Sequence, residues 1–82
     1  MYYVYLLKLN NTKKNFYIGF TNDLRRRIKE HILGNTKTTK NRDPELIYYE
    51  AFNNKYLALK REKGLKSSGS VYNSLLKRLE LK

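Results

Sequence analysis

Apolar and polar positions divide the chain into short extended runs and longer helical ones. Tyr2–Leu9 mixes tyrosine, valine and leucine, types that favour a pleated backbone, so it reads as a strand. The polar stretch Asn10–Asn15 follows as a turn, and Phe16–Thr21 reads as a second strand that closes an antiparallel hairpin with the first. Asn22 or Thr21 is placed to cap a helix beginning near Asp23, whose charge suits a helix N-terminus. That helix runs to about Leu33 with Leu24, Ile28 and Ile32 as its apolar stripe, and Gly34 suits the left-handed position beyond its end. Gly34–Pro44 is polar, basic and without period, hence a loop. Leu46–Phe52 predicts a third strand. Asn53 or Asn54 caps a second helix, Lys55 to about Lys66, with Tyr56, Leu59 and Leu65 as its core contacts. Ser67–Ser70 breaks it, and a last helix from about Val71 to Leu81 buries Leu75, Leu76 and Leu79. The order ββαβαα predicts an α+β fold, a small three-stranded antiparallel sheet flanked by helices.

Length and charge narrow the partners. Eighty-two residues make a single domain, 1–82, that buries only roughly 60% of the surface its unfolded chain exposes. With no cysteine and one histidine, disulfides, thiolate sites and imidazole clusters are excluded. A bound metal would need oxygen ligands, which points to Mg²⁺ or Mn²⁺. The 18 Lys+Arg against 7 Asp+Glu give a net charge of +11, which favours a polyanion, nucleic acid first. The apolar run Tyr2–Leu7 is too short for a membrane span and lacks the basic stretch that precedes a signal, so no membrane partner and a cytoplasmic location are expected.

Several polar residues fall where chemistry is possible. Arg27 and His31 lie four apart on one side of the first helix, and His31 borders the Leu24–Ile28 stripe. By residue type alone these would be a solvated arginine and a half-buried histidine. Alternation puts Tyr5 on one face with Tyr3 and Leu7, and Tyr17 on one face with Gly19. Gly19 permits a close approach by a neighbouring helix or a phosphate backbone. Most of the eight tyrosines must be ordinary sheet packing. Glu62 belongs to the charge run Lys60–Lys63, yet Leu59 and Leu65 bring it near the buried face, where metal ligation or pairing with Arg27 would account for it.

Taken together, Tyr3-Val4-Tyr5, Tyr17-Ile18-Gly19, Arg27, His31, Glu62 within Arg61–Lys66, and Tyr72-Asn73 resemble the GIY-YIG nuclease family in its small stand-alone form. The resemblance covers nearly the whole chain and keeps the motif order. It implies a metal-dependent endonuclease that hydrolyses DNA phosphodiesters in repair, recombination or processing. Its catalytic set would be Tyr5, Tyr17, Arg27, His31, Glu62 and Asn73, with Glu62 as the Mg²⁺ or Mn²⁺ ligand. Arg27 would clamp a phosphate oxygen, Tyr5 or Tyr17 would orient or deprotonate the attacking water, and His31 would relay a proton or bind phosphate. Where some members carry a lysine after the second motif, this chain has Phe20-Thr21-Asn22. Arg25 and Arg26, with Lys37, Lys40 and Arg42 of the long loop, are candidates to track a DNA backbone. Two other readings compete: a DNA- or RNA-binding module that keeps the fold without cutting, and a basic interaction domain whose tyrosines are all core.

Overall fold

Strand β1 (Tyr2–Leu9) is the middle of a three-stranded sheet in the order β2-β1-β3, antiparallel on both sides, with β2 spanning Phe16–Thr21 and β3 Pro44–Phe52. The computed structural model describes residues 1–11, 13, 15–34, 36 and 40–81. Thr12 and Lys14 of the expected turn and Asn35, Lys37, Thr38 and Thr39 of the long loop lie outside the described residues. Val4, Tyr5, Leu6 and Leu7 are buried in succession because both faces of β1 are covered. Val4 and Leu6 join Ile18 and helices α2 (Lys55–Ser67) and α3 (Gly69–Arg78) through Ala58, Leu65, Leu75 and Leu76. Tyr5, on the opposite face, meets helix α1 (Leu24–Ile32) at His31. The expected α+β order and hairpin are therefore observed.

Helix ends follow local hydrogen bonding, and several expectations shift. Asp23, not Asn22 or Thr21, is the N-cap of α1, its carboxylate accepting the Arg26 amide at 3.1 Å. Thr21 instead accepts the Asp23 amide at 3.0 Å and closes the turn from β2. The expected stripe holds at Leu24 and Ile28, which are partly buried, but α1 buries His31 fully and leaves Ile32 62% exposed. Gly34 has φ +76°, as its position after the helix required.

β3 starts at Pro44 rather than Leu46. Proline needs no ladder N–H at the first position of a strand, and the Asn10 side-chain amide bonds the Asp43 carbonyl at 2.9 Å to fasten the entry. Opposite β1, Leu6 pairs with Tyr48 while Leu7 pairs with Leu46, so Ile47 is an extra residue in a bulge. Ile47 and Tyr48 can then both pack on the α2–α3 core. Asn54 caps α2, accepting the Leu57 amide at 3.2 Å. The core contacts of α2 are Ala58 and Leu65; the expected Tyr56 and Leu59 are exposed, Tyr56 by 69%. Helical phase explains this: Ala58, Glu62 and Leu65 form one line, and the small alanine lets α2 approach the sheet. α3 begins at Gly69, directly after its Ser68 cap, so the break between helices is shorter than Ser67–Ser70, and the helix ends at Arg78 rather than Leu81.

Leu6 is embedded in the core and Leu59 is not. Leu6→Ala should cost about 2–5 kcal/mol, and Leu59→Ala less than about 0.5 kcal/mol, in urea unfolding. The reverse ranking would mean that α2 packs through its Leu59 face.

Candidate active site

The second tyrosine of the first tripeptide sits in a notch made by the glycine of the second. Tyr5 is paired directly opposite Gly19, and a Cβ at Gly19 would collide with the Tyr5 Cζ and hydroxyl. The close neighbour of Gly19 is thus a ring on the adjacent strand, not the helix or phosphate expected. Tyr5 is only 1% exposed. Its hydroxyl lies 2.7 Å from His31 Nε2, and Thr36 Oγ1 lies 3.1 Å from His31 Nδ1.

Donor and acceptor arithmetic orders this cluster. The Arg27 guanidinium, which has donors only, lies near enough to the Tyr5 hydroxyl to work against the effect of burial on that phenol. In the Nδ1–H tautomer of His31 the Tyr5 hydroxyl donates its proton to Nε2. In that tautomer the imidazole donates from Nδ1 to the Thr36 hydroxyl. Burial pushes the Tyr5 phenol up to about 12, with Arg27 acting against that rise and Tyr17 and Glu62 adding to it. Burial likewise lowers the His31 imidazole below its ordinary value, helped by the Arg27 charge and opposed by Glu30. Both groups are held neutral, as the hydrogen bond between them requires.

Tyr17 completes an aromatic cluster, its ring centroid 6.4 Å from that of Tyr5 and 5.4 Å from that of His31. Unlike Tyr5 it is partly exposed. The Lys66 ammonium lies 5.9 Å from the Tyr17 ring centroid and 3.2 Å from Glu62 Oε2. Arg27 pairs with Glu30 at 3.1 Å, so the pairing of Glu62 with Arg27 considered from sequence is replaced by two other ion pairs. Residues from β1, β2, α1 and α2 meet here, at the β2 edge of the sheet.

Glu62 is the carboxylate suited to a metal. Its side chain is mostly buried, and no group of three or more His, Cys, Asp or Glu that could hold an ion occurs among the described residues. A lone carboxylate fits Mg²⁺, which keeps several waters and takes substrate phosphate oxygens, and does not fit structural zinc. Asn73 is exposed on α3, next to Tyr72, which lines a cavity with Tyr17 and Lys66.

The remaining cations divide. Arg26, Arg27 and Lys55 line a cleft of about 530 Å³ beside Thr21 and Glu30. Arg25 lines a separate groove on the other flank of α1. Lys40 is exposed near Gly34, and the Arg42 carbonyl accepts the Asn10 amide at 2.9 Å. Lys37 lies outside the described residues. Lys66, Glu30, Lys55 and Thr36 were missed from sequence. The first two lie within helical reach of Glu62 and Arg27, whereas Thr36 and Lys55 arrive by tertiary closure.

A GIY-YIG catalytic domain model matches residues 1–73. A UPF0213 protein of Haloquadratum walsbyi is 37% identical over 68 residues, 80% of this chain and 74% of that protein. One from Clostridium perfringens is 45% identical over 64 residues, 76% of this chain and 67% of the relative. A third, from Natronomonas pharaonis, is 38% identical over 68 residues, 80% and 78% of the two chains. No solved structure matches the chain.

The neutral His31 has a pH consequence. Its folded pKa is depressed, so the unfolded chain binds more protons on acidification. The stability it contributes is complete above the unfolded value of about 6.5 and is lost as pH falls through the folded value. The urea midpoint should drop further between pH 7 and pH 5 for the native chain than for His31→Gln. Parallel drops would mean that the folded imidazole is already charged.

Proposed function

The chain belongs to the GIY-YIG family, and on that premise we propose that it is a divalent-metal-dependent endonuclease that hydrolyses DNA phosphodiester bonds during repair, recombination or processing. The observation that carries this reading is the convergence of Arg27, Tyr5, His31 and Tyr17 beside the Glu62 carboxylate. A domain that only held nucleic acid would need cations; a carboxylate and a partly exposed phenol gathered beside Arg27 are more than that role requires.

Each group has a distinct part in the proposed reaction. Glu62 would hold the Mg²⁺ or Mn²⁺, which when bound stabilises charge on the phosphate and on the leaving oxygen. The Arg27 guanidinium contacts a non-bridging phosphate oxygen while Tyr5 and Glu30 fix its orientation. Tyr17, the more exposed of the two phenols, orients the attacking water. Tyr5 stays protonated at rest because of its burial. It can accept a proton from water only as it gives its own to His31 Nε2, so the pair works as a relay with no net change in charge at Tyr5. Asn73, exposed on α3 beside Tyr72, would be a polar contact to the substrate strand. Arg26 and Lys55 extend the positive surface around Arg27 and suit a phosphate backbone.

Cleavage of a mixed panel of plasmid and branched DNA should stop with EDTA and with Glu62→Ala, and Arg27→Ala should lower kcat roughly 10²- to 10³-fold, the effect of removing one preorganised donor. Tight, salt-sensitive binding without cleavage in either Mg²⁺ or Mn²⁺ would favour the binding module instead. For the cleft, Arg26→Ser and Lys55→Ser should each flatten the slope of log affinity against log salt by about 0.9 on duplex DNA. An unchanged slope would remove those two cations from the interface.

A further inference from the structure

On the flank of α1 away from Arg27, a groove of about 590 Å³ runs between that helix and β3. Its floor is apolar, with Ile28 and Leu46, and its rim carries Arg25 and Lys29. The bulge at Ile47 creates it. In an unbroken strand Leu46 and Tyr49 would point to opposite faces, but the extra residue puts both on the α1 side. Tyr49 is paired opposite Tyr5, yet it remains 51% exposed. The Tyr3 ring meets it edge-on, 6.0 Å between centroids at 66°, and holds it in place.

The combination is specific to a flat ring with a charge attached. An exposed phenol beside aliphatic floor residues offers a stacking surface, and the rim cations suit the phosphates on either side. Asp23 is the one carboxylate in the wall, and its Oδ1 already caps α1 at the Arg26 amide. A second copy of the chain would bring its own +11 charge to the same cations, so charge complementarity favours nucleic acid over self-association. Arg25 and Arg26 are both exposed on α1, Arg25 lining this groove and Arg26 the Arg27 cleft, so adjacent cations serve the two.

We propose that this groove is a subsite for an unpaired nucleobase of the substrate strand, stacked on Tyr49, with Arg25 and Lys29 on its flanking phosphates. The proposal rests on the reading that the chain acts on nucleic acid and sharpens it. A base locked in a duplex cannot reach the ring, so the groove selects strands with an unpaired nucleotide near the scissile bond.

Fluorescence anisotropy in metal-free buffer tests it, with an end-labelled single-stranded oligonucleotide and its blunt duplex as probes. Tyr49→Ala should weaken single-strand binding roughly tenfold, within the range for loss of one stacked base, and leave duplex binding unchanged. Tyr49→Phe should retain native affinity. Ile32→Glu, at an exposed position that does not threaten the fold, should also weaken the single strand by placing a carboxylate in the groove. Unchanged single-strand affinity in both Tyr49→Ala and Ile32→Glu would overturn the subsite, and so would an equal loss on duplex. A Tyr49→Ala change in the sedimentation of the free protein would overturn it in favour of self-association. Because binding is read without metal, a native protein that binds as expected but never cuts refutes the nuclease and leaves the subsite standing. One that binds neither probe refutes both.

Discussion

The contact on which the rest depends is the seat of Tyr5. One ring fills the space that a side chain at position 19 would occupy, and one hydroxyl joins the sheet to α1 through His31. The fit fixes the β1–β2 register, because a one-residue slip would put Ile18 or Phe20 where only a glycine can stand. It also decides how α1 lies on the sheet, since His31 is the buried residue of that helix. Arg27, one turn earlier, is carried into place as a consequence. The polar site and the folding register are therefore aspects of one contact.

A second polar network sets the other side. Burial would raise the Glu50 carboxyl, yet the Arg61 fork at 2.9 and 3.0 Å and the Tyr48 hydroxyl at 2.7 Å hold it below the usual carboxylate range. Arg78 bonds the Tyr48 hydroxyl at 2.7 Å, so β3, α2 and α3 are tied together. Neighbouring residues on α2 thus divide the work. Arg61 fastens the helix to β3, and that orientation points Glu62 toward Lys66 and the β2 edge. Adjacent positions thus serve structure through a guanidinium and candidate chemistry through a carboxylate.

How far the sequence could be read follows from which forces were local. Strand bounds for β1 and β2, the α+β order and the Gly34 turn depend on short-range pattern and backbone preference, and each was legible. Tyr5, Tyr17, Arg27, His31 and Glu62 could be picked out because motif order survives in the chain. What was illegible came from packing. Leucine outranks alanine in any hydrophobic pattern, so Leu59 was favoured over Ala58, although the close approach of α2 needs the smaller residue. Ile32 continued a good stripe and is still exposed, because the end of α1 is seated by the neighbouring His31 and its polar bond to Tyr5. The bulge at Ile47 leaves no mark that a period-of-two reading could detect. The partners of the site's charges, Glu30 for Arg27 and Lys66 for Glu62, were within helical reach but could not be told from ordinary surface pairs.

The notch at Gly19 has a bearing on how such a chain can diverge. Any side chain gained there requires Tyr5 to shrink or leave, and a departing Tyr5 takes with it the bond that docks α1. Drift at positions 5, 19 and 31 is consequently coupled, and single steps pass through poorly folded intermediates. A descendant that abandoned catalysis while keeping the architecture would find Glu62 and Tyr17 easy to replace and this triplet hard. The reluctant positions in such a lineage would be the ones that folding and chemistry share.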